Sequence, residues 1–531
     1  MGTEPASLPG TLAEAVTVAA SRWPERTAWI FDPGGSFTFS DVERLAYGYA
    51  LALRGRGVQP GDRVAVMLGN EPAFPLTWLA LSLIGAVMVP LNPRYQSADA
   101  GHVLSACGAS SIVAGPRFLP LLERVAAQAP EVSQIVPAEE IAAAADQVTG
   151  GRPGLARPDP AGTANIQFTS GTTGRPKGCV LSHRYWTQLG GSLVAGFPYL
   201  DAGDIMLTAQ PFHYIDPQWN VAAGLLAGAT LVILDGFHPS SFWAKVREHR
   251  VTYFYCLGAM PALLLRMPPD PADREHSVRL VQCSAIPPAL HATLEERWGV
   301  PWFETFGMTE TGADLKVTGA DHDELVGTGC LGLPVSYRQA RIIDAHGQPV
   351  AAGERGEIIL AGGVMMDGYY GDQEATARVL HDGWFHTGDL GWMDTAGRVY
   401  YTGRLKDMIR RSGENVAAGE VEEVLLTHPA IRLVAVTGVP DELRGEEVKA
   451  YYVAGPQAVP PAELAAYCTE RLASFKVPRF WQPAADLPRT DSERVAKQRL
   501  GELAGPVFDL RTGAWNSGAW NSGAWNSAAD G

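Results

Sequence analysis

Before residue 330, apolar runs of strand length alternate with apolar stretches of helical length. That alternation restricts the chain to parallel α/β sheets covered by helices. Arg63-Val-Ala-Val-Met-Leu68 reads as a strand, residues 72–84 as a helix, and Val87–Leu91 as the next strand. Ser111-Ile-Val-Ala114 and Thr230-Leu-Val-Ile-Leu234 are further short runs bounded by turn residues. Residues 72–93 carry no formal charge, as a membrane span would also show. Prolines at 72, 75, 90 and 93 and Gly85 instead divide that stretch into a buried helix and a strand, so we reject a span.

After residue 330 the pattern changes to closely spaced strands, Arg341-Ile-Ile343, Gly356–Leu360 and Gly397–Tyr401, separated by glycine turns. They predict a small antiparallel subdomain. A charged segment follows, then the amphipathic helix Gly419–Thr427, strands Leu433–Val439 and Val448–Val453, and helix Pro461–Leu472. That is material for a compact α+β domain of roughly 100 residues. The tail repeats Gly-Ala-Trp-Asn-Ser three times from Gly513 to Ser527, too short a period for a solenoid unit, and reads as a disordered extension. The expected division is 1–402, a connection at 403–407, a second domain at 408–502, and a tail at 503–531.

One loop carries chemistry. Phe168-Thr-Ser-Gly-Thr-Thr-Gly-Arg-Pro-Lys-Gly178 offers small residues for close backbone approach, hydroxyls at Thr169, Ser170, Thr172 and Thr173, glycines at Gly171 and Gly174, and a cation at Lys177. A polyphosphate needs that combination of amides, hydroxyls and charge. It is not the G-x-x-x-x-G-K-[ST] pattern, because Lys177 lies three residues after Gly174 and precedes Gly178. The net charge of −15 excludes nucleic acid as the main partner, since duplex binding needs a basic face. The six cysteines (107, 179, 256, 283, 330, 468) have no C-x-x-C pair or metal-ligand spacing, which suits a reducing cytoplasm. No secretory pattern is apparent at the N-terminus, so a cytoplasmic chain without membrane attachment is expected.

The loop resembles the phosphate-binding signature of the adenylate-forming superfamily, which includes acyl-CoA synthetases, peptide-synthetase adenylation domains and beetle luciferases. Further segments resemble that family in order: Gln210-Pro-Phe-His213, Thr305-Phe-Gly-Met-Thr-Glu310, Thr387-Gly-Asp389, Gly403–Ile409 and Ser412-Gly-Glu-Asn415. The resemblance covers roughly residues 10 to 500 and is nearest the acyl-CoA ligase branch. It implies a large N-terminal adenylation domain, a hinge at Lys406, and a mobile C-terminal lid over the active site.

The resemblance also implies roles. Lys177 serves the β- and γ-phosphates, Glu310 holds Mg²⁺, Phe306 lies by the adenine, and Thr309 contacts the α-phosphate. Asp389 serves the ribose with Arg404 nearby. Ser284, Ala285, Glu304, Thr305, Gly307 and Met308 complete the nucleotide wall. The acyl pocket takes His213, Tyr214, Asp216, Trp219 and Gly258. The CoA tunnel takes Ser412, Gly413 and Glu414. The expected partners are ATP with Mg²⁺, a small-molecule carboxylate and CoA, and a homodimer is left open.

Two departures matter. The family pattern Pro-x-Thr-x-[Ser/Thr]-Gly-Lys reads here Pro488-Arg-Thr490-Asp-Ser492-Glu493-Arg494, so arginine stands at the lysine position, with Lys497 three residues on. Arginine keeps the charge on a larger planar fork. Either Arg494 or Lys497 substitutes, or the activated acid is unusual. The other departure is His213-Tyr-Ile-Asp216-Pro-Gln-Trp219. A buried Asp216 is costly unless paired, which suggests a cationic or amine-bearing substrate, and the sequence looks like the branch containing carnitine- and crotonobetaine-CoA ligases. The reading is an ATP-dependent carboxylate–CoA ligase. One alternative on the same fold is the diazotisation of an aromatic amine with ATP and nitrite, as in some bacterial members in secondary metabolism. Another is a non-catalytic nucleotide-binding module using the Trp-rich tail.

Overall fold

The computed structural model describes residues 8–147, 158–169, 176–258, 260–411, 414–441, 444–455, 458–490 and 495–516. Three sheets organise them. The six-stranded sheet runs Gln134–Pro137, Ser111–Ala114, Arg63–Met67, Val87–Pro90, Thr163–Thr169, Lys177–Ser182. All neighbours are parallel except the last two, which form an antiparallel ladder with Thr169 opposite Lys177. The phosphate loop therefore connects two hairpin strands rather than a strand and a helix. Its own residues Ser170, Gly171, Thr172, Thr173 and Gly174 lie outside the described residues.

The uncharged stretch forms the helix Ala73–Ile84, buried from Phe74 onward, and Gly85 ends it at φ 80°, a left-handed conformation that glycine adopts without strain. A helix apolar on every side belongs in a core. Trp78 donates from Nε1 to Asn165 Oδ1 (2.7 Å), and Asn165 in turn donates to Gln218 Oε1 (2.8 Å), tying this helix to the sheet and to the helix Ile215–Ala227. Among the described residues no helix is long and apolar enough to cross a membrane.

The largest sheet contains the antiparallel strands expected after residue 330 and joins them to parallel ones. Its parallel part contains Trp302–Met308, Leu280–Ser284, Tyr253–Leu257, Ile205–Thr208, Thr230–Leu234 and Thr27–Asp32. The antiparallel strands Gln339–Ile343, Arg355–Ala361, Trp384–Met393, Val399–Arg404 and Cys330–Pro334 continue the same sheet through Gly312–Lys316, which pairs with Trp302–Met308. The change of sequence pattern marks a change of strand direction within one domain.

The short 3₁₀ turn Leu405–Asp407 then leads into a seven-stranded sheet beginning at Met408–Arg411. Helices Ala418–Leu426 and Pro461–Thr469 cover its long antiparallel pair, Ile431–Asp441 and Gly445–Ala454. The tail is a correction. Val507–Asp509 pairs with Phe480 and Trp481, and Ala514–Asn516, inside the first Gly-Ala-Trp-Asn-Ser unit, pairs back on Val507–Asp509. Asp509 is fully buried, 2.9 Å from the Arg479 guanidinium, so a folded partner holds a segment whose composition reads as disordered. Residues 517–531 lie outside the described residues.

Candidate active site

A cleft of about 780 Å³ lies between the two large-domain sheets and reaches the C-terminal domain. The hairpin from Trp302 to Lys316 forms one side. Gly307 stands exposed at its bulge, where an added Cβ would come within 2.1 Å of Gly312 O, so only glycine permits this crossing. Three contacts fix the turn beyond it. Tyr185 donates to Thr309 O (2.9 Å), Arg338 donates to Thr311 O (2.6 Å), and Arg338 pairs with Asp314 at 2.8 Å, both fully buried. Glu310 sits in this turn, not at the start of a helix.

The segment 367–370 runs beside the phosphate-loop hairpin, with Tyr370 N donating to Gly178 O and Val180 N to Gly368 O. That pairing places Tyr369 between the two key charges. Its hydroxyl donates to Glu310 Oε1 (3.0 Å), and Lys177 Nζ lies 5.0 Å from its ring centroid. Burial, then the Glu310 charge, pushes the Tyr369 phenol far above its ordinary value, so it stays a neutral donor. A hard carboxylate oxygen beside a cation in one cleft fits a Mg²⁺-bound polyphosphate.

The other residues expected in a nucleotide wall are sorted by burial. Ser284, Thr305, Phe306, Met308, Thr309 and Arg404 line the cleft. Ser284 Oγ donates to Thr305 O (2.6 Å) and accepts from Tyr255 (2.7 Å). Glu304 points to the opposite face of its strand from Thr305 and accepts from the amides of Ala285 (2.7 Å) and Ile286 (2.8 Å). Burial pushes its carboxyl up to about 8, and it props the Ala285 turn, which has φ 65°. Glu304 thus supports the cleft from behind, correcting its expected place in the wall, while Ala285 is exposed beside Ser284. Asp389 is buried and ion-pairs with Arg404, its partner on the neighbouring strand, at 2.8 Å, so the guanidinium faces the cleft.

At the other end stand His213, Tyr214, Asp216 and Trp219. Trp219 packs edge-on to Tyr255 at 5.3 Å. Gln167 donates to His213 O, and Gln218 bridges Phe212 O (2.9 Å) and Gln167 Oε1 (3.3 Å), which holds this loop rigid. Both His213 ring nitrogens lack a hydrogen-bond partner among the described residues, although the ring is only 8% exposed. Burial, then Arg94, lowers its pKa to about 3, so it is neutral. Asp216 is half-buried rather than buried, and it lies in the first turn of the helix Ile215–Ala227, where a negative charge is favoured. Gly258 ends its strand at φ 58° beside Leu257, which lines the cleft in its place.

The C-terminal domain contributes Arg489, Thr490, Gln498 and Arg499. Lys497 is turned away. Its Nζ lies 2.7 Å from Glu422 and 3.4 Å from Asp407. Arg494, Ser412 and Gly413 lie outside the described residues. Glu414 sits opposite Arg411 in a hairpin, and Lys406 falls in the connecting 3₁₀ turn. Sequence reasoning missed Tyr369, Arg489, Arg499 and the buried Lys316. Tyr369 carried no local signal, because only tertiary pairing brings it to Glu310.

A lysine-bearing hairpin and a carboxylate joined to that lysine through Tyr369, in one cleft, suit an enzyme that uses a nucleotide. Comparison with known proteins agrees. Residues 16–370 match the family described as AMP-binding enzyme, and residues 420–494 match its C-terminal domain. The chain is 33% identical over 462 residues to a crotonobetaine/carnitine–CoA ligase of Escherichia coli O157:H7 (strain EC4115 / EHEC), covering 84% of this chain and 89% of that protein. Its fold is similar to o-succinylbenzoate CoA synthetase of Bacillus subtilis in complex with the acyl-adenylate intermediate (TM-score 0.81, 28% identity, 92% of this chain and 97% of that one). The same synthetase with ATP and magnesium ion gives TM-score 0.81 at 27% identity, covering 92% of this chain and 98% of that one. The chain belongs to the AMP-binding enzyme family, in its acyl-CoA ligase branch, and uses ATP with Mg²⁺ to form an acyl adenylate.

Proposed function

We propose that this ligase activates a carboxylic acid bearing a cationic or amine group and passes the acyl group to CoA. The observation that carries this reading is Asp216, half-buried on the acyl wall between Tyr214 and Trp219. A carboxylate facing an aromatic-walled pocket selects for a cation there. The likeness to enzymes named for crotonobetaine and carnitine supports it.

The residue roles follow from position. Carboxylate and ATP are both anions, so holding them together and neutralising charge dominate the barrier. Lys177 and Arg404 supply fixed positive charge along the nucleotide. Glu310, oriented by Tyr369, would hold Mg²⁺, which neutralises phosphate charge when bound. Neutral His213 offers a ring nitrogen without a partner among the described residues at the Asp216 end of the cleft, suited to orienting the acid. From the C-terminal domain Arg494 is the charge for the carboxylate–phosphate junction, Lys497 being held by Glu422. Lys406 is the hinge residue, and Ser412, Gly413 and Glu414 border the pantetheine path.

The test is pyrophosphate release by the purified chain with ATP, Mg²⁺ and CoA, read with product mass. The panel contains aliphatic, aromatic and amine-bearing acids, with nitrite plus aromatic amine as a separate arm. A CoA thioester formed fastest from an amine-bearing or quaternary acid is the expected result. Release only with nitrite, giving a diazo product, would overturn the ligase reading.

A further inference from the structure

We propose that Lys316 binds a second, non-reacting carboxylate on the acid that this enzyme activates. This rests on reading the cleft as the acyl pocket. Lys316 ends the strand Gly312–Lys316, opposite Thr305, and lines the cleft beside Leu189, Leu193 and Ala313. It is only 5% exposed.

A lysine this deep is almost always paired with an acid. Among the described residues the ammonium has neutral acceptors alone: Phe197 O at 3.1 Å, Ser192 O at 3.3 Å and Ser192 Oγ at 3.4 Å. Each is longer than a charge-assisted hydrogen bond, which runs to roughly 2.7–2.9 Å. Burial alone lowers its pKa to about 7, with no carboxylate holding it up. Among the described residues of the large domain the other buried cation, Arg338, is anchored to Asp314 at 2.8 Å, and the less buried Arg404 is likewise held by Asp389 at 2.8 Å. Lys316 is built differently, with apolar neighbours on the cleft side and a weak rear hold. An oxyanion entering from the cleft would complete it, restoring charge and supplying the short acceptor the protein omits.

Asp216 and Lys316 stand on different elements of one cleft, the first turn of the helix Ile215–Ala227 and the end of Gly312–Lys316. The non-reacting part of the acid would then carry both a cation and an anion. Lys316 is a specificity determinant, distinct from the phosphate-serving Lys177.

The experiment measures kcat/KM for dicarboxylic acids against their monomethyl esters, over a series of chain lengths, with and without an amino group. The full-length chain, ATP, Mg²⁺ and CoA are used throughout. The wild-type enzyme is expected to prefer the free dicarboxylate at its best length by about 10-fold or more, the range of one hydrogen bond to a charged group. In Lys316→Met and Lys316→Gln that ratio is expected to fall toward unity. A purely packing role for Lys316 would change melting temperature and leave the ratio intact. A wild-type ratio near one at every length, or variants that keep the wild-type preference, overturns the inference while leaving the ligase intact. Absence of acid-dependent pyrophosphate release across the whole panel overturns the ligase reading and this inference together. Should Lys316→Met fail to fold, the wild-type ratio and Lys316→Gln still decide.

Discussion

Replacing Tyr369 by Phe removes one oxygen and tests the joint between Glu310 and Lys177. The ring beneath the Lys177 ammonium stays, and only the 3.0 Å hydrogen bond to Glu310 is lost. A hydrogen bond to an ionised acceptor contributes about 1.5–3 kcal/mol when both groups are buried. Tyr369 is half-buried at the cleft edge, which places the loss at the lower end, about 1–2 kcal/mol. At about 1.4 kcal/mol per factor of ten, kcat/KM for MgATP should fall roughly 5- to 30-fold. Because Glu310 is the proposed metal carboxylate, the Mg²⁺ activation curve should shift to higher concentration, while the KM for the acid holds. Tyr369→Ala also removes the ring face, worth about 0.5–1 kcal/mol to a cation, and should cost a further few-fold through Lys177. The assay is initial-rate pyrophosphate release over a Mg²⁺ titration at fixed ATP. A Tyr369→Phe enzyme with wild-type kcat/KM and an unmoved Mg²⁺ curve would refute the reasoning, since Glu310 would then be oriented without its partner.

Three further outcomes are expected. Asp216→Asn should cut kcat/KM for amine-bearing acids by roughly tenfold relative to matched uncharged acids, and an unchanged substrate profile would end the cation reading. Arg494→Ala should depress adenylation more than Lys497→Met, because Glu422 and Asp407 hold Lys497; the reverse order in single-turnover adenylation would return the role to Lys497. Stability should also vary with pH through His322, which lies 2.7 Å from Glu295. Burial opposes charge on both, but hydrogen bonds to Glu295 and Asp323 raise the His322 pKa, and those from His291, His322 and Trp302 N lower that of Glu295 to about 2. His322 therefore stabilises fully below its unfolded value near 6.5 and loses that contribution as pH rises through its folded value. Glu295 stabilises above about 4.5 and fades as pH falls toward 2. The melting-temperature difference between wild type and His322→Gln should be greatest between about pH 4.5 and 6.5, and a flat difference would contradict the pairing.

The residues that could be placed from the sequence are those whose surroundings are local. The Thr169–Lys177 pair and the Thr305–Glu310 turn each carry small residues, a charge and a strand in a single short window, so position and chemistry coincide. Glu304 lies in the same window yet faces backward, because a strand sends alternate side chains to opposite faces and the sequence does not mark which face is wet. Lys316 reads as a plain surface lysine until the helix His183–Val194 is packed over it. Lys497 sits at a plausible spacing from the altered motif, but its direction is set by Glu422, which is distant in sequence. Val507–Asp509 was hidden by the repeat that follows it, and only Arg479 reveals why it is ordered.

The hydrogen-bonded strand order from Gln339–Ile343 to Ser36–Thr38, bulged at several pairings, has a mechanical consequence. Thr387, Asp389 and Arg404 are hydrogen-bonded, strand by strand, to the same slab that carries Glu310 and Ser284. Shifting one of these groups against another would require tearing a row of backbone bonds. Asp389, Arg404, Glu310 and Ser284 therefore stand on one anvil, and under the roles proposed for them any displacement between successive half-reactions would fall on the chain beyond Arg404, through the turn Leu405–Asp407.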